Sequence, residues 1–157
     1  MSRHRVARYL LLVITGSVAV TAVIGGIALA AGSLRPAGRS VVVPSLEHLE
    51  GSPFDSYLLP GVLLAGIVGG LHVLAVTAVL AGMRRASLAA AIAGYALVIW
   101  IVEQMTIVPS GALQVIYAAA GLAEIGLALL VLGVVGPEGG PRRRGEAGRA
   151  ALLRPAR

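Results

Sequence analysis

Residues 58–80, LLPGVLLAGIVGGLHVLAVTAVL, form a run without a formally charged side chain, in which His72 and Thr77 are the polar ones. About 20 apolar residues cross the hydrocarbon core of a bilayer as a helix. The run is apolar on every face, whereas strands of a membrane β-barrel alternate polar and apolar residues over short segments. It therefore predicts a transmembrane helix and an all-α membrane protein.

Three further segments have the length and apolarity of membrane spans, at residues 9–31, 87–107 and 113–135. The segment at 87–107 is the weakest of them because Glu103 and Gln104 interrupt it. The composition agrees with this count, since the chain of 157 residues is 57% hydrophobic and 13% charged. Soluble domains are about 25% charged. We therefore predict a four-transmembrane-helix bundle.

We expect one transmembrane domain at residues 1–135, with an external loop at 32–57, and then a tail at 136–157. The tail, GPEGGPRRRGEAGRAALLRPAR, is rich in Gly, Pro and Arg, and we expect it to be disordered. The N-terminus also resembles a secretory signal, with a basic head and an Ala28-Leu29-Ala30 triplet typical of cleavage sites. We favour an uncleaved helix because the apolar stretch is longer than the roughly 7–15 residues of a signal.

The arginines predict the orientation. All 13 cationic side chains are Arg, and all but Arg35 and Arg39 lie in the N-terminal segment, at Arg84 and Arg85, or in the tail. Cytoplasmic segments of membrane proteins are rich in such residues. We therefore expect a multi-pass protein of the cytoplasmic (inner) membrane with both termini inside, N-in/C-in. The net charge of +6 then indicates topology, not nucleic-acid binding. Binding of anionic lipid by the tail stays an alternative use of its arginines.

The external loop contains Gly, Pro and aromatic residues in a specific order. Ser45 is placed to cap one short helical turn. Phe54 and Tyr57 are expected at headgroup depth, where aromatic rings with a wet edge are favoured. Pro60 lies in the first turn of the second span, where its missing N–H costs least. Two interpretations stay open, a shaped external cap and a plain connector with interfacial anchors.

The order of residues in this loop and in the later spans resembles a family of small, uncharacterised bacterial four-helix membrane proteins. The resemblance covers residues 9–135 and implies an architecture, not an activity. Its motifs here are Pro36-x-Gly38, Leu49, Ser52-Pro53-Phe54-Asp55, Tyr57, Pro60-Gly61, Ile99-Trp100-Ile101, Gln104, Gln114 and Gly121-Leu122-Ala123-Glu124.

Three ionisable residues lie inside the predicted spans: His72, Glu103 and Glu124. Each costs about 2.5–3.5 kcal/mol in a bilayer, so such residues usually face the bundle interior or a wet cavity. We expect them at successive depths, with Glu103 nearest the outside, and each on an inward stripe with small residues. If the second and fourth spans are neighbours, His72 and Glu124 share a hydrogen bond. Other candidate partners of Glu124 are Gln104, Gln114 and Tyr117.

Several chemistries are excluded by the residues present. The chain has no Cys, so it has no disulfide, thiolate nucleophile or dithiol centre. A bis-His haem needs two imidazoles inside the bundle, and zinc needs three or four converging ligands, but only His72 lies within a span. We therefore expect no cofactor and no metal.

Three functions stay open. The first is a non-enzymatic accessory bundle that binds a membrane-protein partner or a lipid-like ligand; a homo-oligomer is a further possible assembly of the chain. The second is a proton-linked small transporter that uses Glu124, Glu103 and His72. The third is a lipid-modifying enzyme with the Glu124/His72 pair as acid and base.

Overall fold

The computed structural model describes residues 3–35 and 43–134, with the side chains of Arg3 and His4 left out. The predicted disordered tail and Pro36-x-Gly38 of the loop motif lie outside the described residues. The described part is helical and has no strand. Its elements are α1 (Arg3–Ser33), a 3₁₀ turn (Leu46–Leu49), α2 (Leu58–Leu63), a π-helical segment (Leu64–Gly69), α3 (Gly70–Leu80), α4 (Ala86–Ile107) and α5 (Ala112–Leu132).

Four helices are long and apolar enough to cross a membrane, which makes the chain a multi-pass membrane protein. The second span is continuous from Leu58 to Leu80 and consists of α2, the π-helical segment and α3. The first helix begins earlier than residue 9 and ends at Ser33. The fourth ends at Leu132, before the expected residue 135, because Gly133 adopts a left-handed φ of 74° and terminates the helix.

The other helix ends also follow from local chemistry. Val108 is extended (φ −116°, ψ 139°) and ends α4, because a residue that precedes proline, here Pro109, is disfavoured in the helical region. Gly82 has a φ of 64° and closes the end of α3. These two short connections, at 81–85 and 108–111, fold the chain back on itself and make consecutive spans antiparallel neighbours.

The four spans form a ring in chain order. The first span packs on the second, α3 packs on α4, α4 packs on α5, and α1 closes the ring against α5. The second and fourth spans therefore lie across the bundle diagonal, not side by side. One end of the bundle carries the segments 43–57 and 108–111, and we call it the loop end. The other carries the connection at 81–85, and we call it the turn end.

Glycines permit two close helix contacts. A Cβ on Gly61 of α2 would lie 2.6 Å from Ala30 N in α1, and one on Gly26 would lie 2.5 Å from Ala65 N. A Cβ on Gly94 of α4 would lie 2.9 Å from Gly121 O in α5. Ordinary contacts of a Cβ are about 3.4–4 Å, so the backbones are too close for a larger residue.

The interior contains two apolar clusters. The loop-end cluster comprises Val18, Ala22, Val68, Leu97 and Ile101, with Trp100, Tyr117 and Ala120 among the residues packed on it. The turn-end cluster comprises Leu11, Ala75, Ala90 and Ala93, with Leu71 and Leu127 among those packed on it. Each cluster takes side chains from all four spans, so the bundle core is divided into two apolar halves with a layer between them.

Candidate functional site

The layer between the clusters holds a pair of ionisable side chains, His72 and Glu124. Both side chains are fully buried, with 0% of their surface exposed. His72 Nε2 lies 3.1 Å from Glu124 Oε2. The two residues come from the second and fourth spans, so the contact bridges the bundle diagonal. The sequence-based expectation of a shared hydrogen bond is met, although the spans are not neighbours, because both side chains extend to the bundle centre.

The second ring nitrogen fixes where one proton sits. His72 Nδ1 lies 2.6 Å from Val68 O, and a carbonyl oxygen only accepts, so Nδ1 carries a hydrogen and donates it. A second proton then lies between Nε2 and Glu124 Oε2, either as imidazolium and carboxylate or as neutral imidazole and carboxylic acid. Both arrangements leave the pair electrically neutral. Neutrality is what an apolar surrounding favours, because an isolated charge there costs far more.

The backbone just before His72 is unusual. The π-helical segment Leu64–Gly69 ends three residues before it, and Gly70 N–H donates to Ala65 O five residues back. Segments of this kind interrupt α-helices mostly as single turns and often occur at functional sites. The segment provides Val68, whose carbonyl oxygen accepts from His72. The local backbone therefore orients the imidazole as well as carrying it.

Spacing along the helices places four residues in this layer, one from each span. Val68 of the loop-end cluster and Ala75 of the turn-end cluster flank His72 on one helical face. Ala120 and Leu127 flank Glu124 in the same way. The equivalent positions of the other two spans are Thr15, between Leu11 and Val18, and Gly94, between Ala93 and Leu97.

Thr15 is a buried polar residue of this layer that the sequence did not predict as part of the site. Its side chain is 0% exposed, like those of His72 and Glu124. Among the described residues, Thr15 Oγ1 and Glu124 Oε1 are the two buried side-chain atoms that have no hydrogen-bond partner. A threonine in a membrane span is common and usually bonds to its own helix, so the sequence alone gave no signal for this role.

Gly94 determines how close α4 comes to Glu124. A Cβ at this position would lie 3.1 Å from Glu124 Cβ and 3.1 Å from Ile125 Cγ1. Gly121 makes the reciprocal approach, where a Cβ would lie 2.8 Å from Val98 Cγ2. The two glycines therefore bring α4 and α5 together at the layer of the pair.

Glu103 lies apart from the pair, contrary to the expected inward stripe. It is exposed on α4, and the buried face of that helix is formed by Ala90, Ala93, Gly94, Leu97 and Ile101 instead. The expectation of three successive depths is also wrong for His72 and Glu124, which lie at one level. The inward face of α4 could not be assigned from the sequence because a helix that is apolar all round gives no moment.

Glu103 instead lines a cleft of about 210 Å³ at the loop end. The cleft brings together three residues of α4 and five residues of the external loop. It is lined by His48, Glu50, Gly51, Ser52, Pro53, Glu103, Thr106 and Ile107. Within the described residues no three His, Cys, Asp or Glu side chains are grouped as a metal site would require. The cleft is thus an acidic recess outside the core.

The other predicted partners of Glu124 serve different purposes. Gln114 Oε1 accepts from Gly111 N–H at 2.8 Å and caps the start of α5. Tyr117 is half-buried against the loop-end cluster, and Gln104 is half-buried without a hydrogen bond to Glu124. None of the three bonds to Glu124, whose one side-chain partner among the described residues is His72.

The loop motif is an ordered structure. Ser45 accepts from Glu47 N–H at 3.4 Å at the start of the 3₁₀ turn, as the sequence predicts. The Tyr57 hydroxyl donates to Ser45 O at 3.1 Å, and burial raises its pKa above the ordinary value. Phe54 is half-buried, while Asp55 is exposed. Pro60 and Gly61 lie in the first turn of α2, where Gly61 packs against α1. Tyr57 is buried, so it is not the wet-edged interfacial anchor that we expected.

Fold and site together define a polytopic four-helix membrane protein with one buried histidine–carboxylate pair across its centre. No protein-family model, no curated protein and no solved structure matches the chain. Its function is therefore inferred from the site.

Proposed function

We propose that the protein is a proton-linked membrane transporter that lets protons cross down their gradient, and that the His72–Glu124 pair binds and releases the transported proton. The observation that supports this is the 3.1 Å contact between two fully buried ionisable side chains at the centre of a lipid-embedded bundle. Ionisable residues placed this deep are costly and typically mark ion or proton pathways.

Proton transfer suits this geometry better than the other two functions. A proton moves along hydrogen bonds, and the pair already holds one proton between Nε2 and Oε2. A lipid-modifying enzyme needs the same pair within hydrogen-bond distance, which is satisfied, but its substrate also needs room beside side chains with 0% exposure. The partner-binding or lipid-like-ligand-binding bundle stays a prediction, tested by what co-purifies in mild detergent.

The charge distribution supports an orientation with both termini in the cytoplasm of the inner membrane. At the turn end, the exposed cationic residues of the described chain are Arg5, Arg8, Arg84 and Arg85. The loop end carries Arg35 together with the acidic residues Glu47, Glu50, Asp55 and Glu103. We infer that the turn end faces the cytoplasm, in keeping with the excess of basic residues there.

This orientation is tested with thiol labelling, since the chain contains no Cys. Leu46→Cys at the loop end and Met83→Cys at the turn end are both exposed positions. In intact cells a membrane-impermeant maleimide is expected to label Leu46→Cys and to spare Met83→Cys until the membrane is opened. The reverse pattern would invert the proposed topology.

Transport is tested in lipid vesicles that carry a pH gradient and an internal pH-sensitive dye. Wild-type protein is expected to dissipate the gradient faster than empty vesicles do, and Glu124→Gln is expected to lose this activity. The amide of Gln has an N–H that can donate to His72 Nε2, so the bundle keeps a neutral contact at its centre. Glu47→Gln, in the exposed turn of the loop, is the matched control and should behave as wild type.

Two outcomes would refute proton transport by the pair. One is wild-type protein that leaves the gradient as stable as in empty vesicles. The other is a Glu124→Gln protein that dissipates the gradient at the wild-type rate.

A further inference from the structure

Thr15 lacks the hydrogen bond to its own helix that several other hydroxyl side chains of the spans make. Ser17, Thr21, Thr77 and Thr106 each donate to a carbonyl three or four residues back, at 2.7–2.9 Å. This is the usual arrangement for a hydroxyl on a transmembrane helix. Thr15 Oγ1 makes no such bond, although it is completely buried. Its hydroxyl is thus available to a group outside its own helix.

Glu124 Oε1 is the second buried atom without a partner, and it lies in the same layer of the bundle. Glu124 Oε2 is engaged by His72, whereas Oε1 has no donor within residues 3–35 and 43–134. An unpaired polar group inside a membrane protein costs several kcal/mol. A hydroxyl donates and a carboxyl oxygen accepts, so the chemistries of the two atoms are complementary.

We propose that the layer binds one water molecule between Thr15 Oγ1 and Glu124 Oε1, which makes Thr15 the third side chain of the site. A buried water typically bonds to about three otherwise unsatisfied polar groups, with a range of two to four. It can accept from the threonine hydroxyl and donate to the carboxyl oxygen at the same time. One molecule therefore satisfies both orphan atoms.

A neutral ligand fits this position better than a cation. The His72–Glu124 pair is neutral as a unit, so a bound metal ion would bring an uncompensated charge into an apolar core. Hard cations also take six or more oxygen ligands. Two oxygens from Thr15 and Glu124 are too few for such an ion and sufficient for water.

The inference that water binds here rests on the two unpaired buried atoms in one layer, whereas the role of that water as a proton relay rests on the proposed function. Glu124 Oε1 is the carboxyl oxygen that His72 leaves free, so a proton can reach the pair through it without breaking the contact to Nε2. Thr15 is then a positioning residue that acts through the water, and the proton is exchanged at Glu124.

The experiment is water-edited solid-state NMR of the labelled protein in lipid vesicles, which measures magnetisation transfer from water to individual carbons. Wild-type Glu124 Cδ is expected to receive magnetisation faster than the buried side chain of Leu97 in the neighbouring cluster. Thr15→Val, which keeps the shape and removes the hydroxyl, should reduce transfer to the level of Leu97. Thr15→Ser should restore it.

Equal transfer to Glu124 and Leu97 in the wild type would overturn the proposal, even if Thr15→Val fails to fold. So would unchanged transfer to Glu124 in a folded Thr15→Val protein. The flux assay separates this inference from the proposed function. A bound water without proton flux removes only its role as a relay, whereas flux without a bound water removes only the water site.

Discussion

Replacing either member of the buried pair by leucine is expected to destabilise the bundle more than replacing both. In His72→Leu, the Glu124 carboxyl, at 0% exposure, loses the one partner it has in the described part of the chain, which costs about 3–5 kcal/mol. In Glu124→Leu, His72 keeps its bond to Val68 O and loses the one at Nε2, so the cost is about 1–3 kcal/mol. The order of the two single variants thus follows from how many bonds each residue retains.

The double variant His72→Leu/Glu124→Leu removes both polar groups and keeps the volume of the layer nearly unchanged. Replacing a buried ion pair by apolar residues of similar size is often neutral or stabilising. We therefore expect the double variant to unfold close to the wild-type midpoint. The resulting coupling free energy between the two positions equals the sum of the two single costs, about 4–8 kcal/mol.

The assay is reversible unfolding in mixed micelles at increasing SDS fraction. The chain has a single tryptophan, Trp100, which packs on the loop-end cluster and reports its integrity by fluorescence. Thr77→Leu serves as the control, because Thr77 is an exposed polar residue on the same span as His72, and it should change stability by less than about 0.5 kcal/mol. A double variant as unstable as the sum of the two single variants would refute the pairing.

Three further outcomes are expected. Gly94→Ala should lower the free energy of unfolding by about 1–3 kcal/mol, because its Cβ would collide with α5. The control Gly126→Ala, whose Cβ would have nothing within 4 Å, should not lower it. Equal effects of the two substitutions would contradict the close approach of α4 and α5. Gly61→Ala should destabilise in the same range through its contact with α1, and a wild-type unfolding midpoint would count against that packing. Burial raises the pKa of Tyr57, so Tyr57 should titrate above 10.0 in an ultraviolet absorbance titration, and the stability of the fold should fall at alkaline pH because the folded state retains the neutral form. A Tyr57→Phe protein that still shows the late component of the titration curve would argue against burial of Tyr57.

The spans could be predicted from sequence because length and apolarity are properties of the chain alone. Residues 58–80 match the second span at both ends. The sequence predicts the end of α5 too late, because the sequence does not show whether a glycine in an apolar run adopts a left-handed φ. Gly133 adopts one and ends the helix. No motif in the sequence predicts the π-helical segment Leu64–Gly69.

The site could be predicted in part. His72 and Glu124 were identifiable because ionisable side chains are rare and costly in lipid. Thr15 was not, because a buried and an exposed threonine look the same in an apolar sequence. The rotation of α4, which exposes Glu103 and buries Gly94, was likewise hidden, since both faces of that helix are apolar and the contact with Gly121 is a tertiary feature.

The ¹⁵N spectrum of His72 in lipid vesicles measures directly whether His72 and Glu124 share a proton. Replacing His4 and His48 by Gln leaves this histidine as the only one of the three in the chain. We expect a protonated Nδ1 and an Nε2 resonance that moves when Glu124 is changed to Gln. An Nε2 resonance that is the same in both proteins would contradict the shared proton.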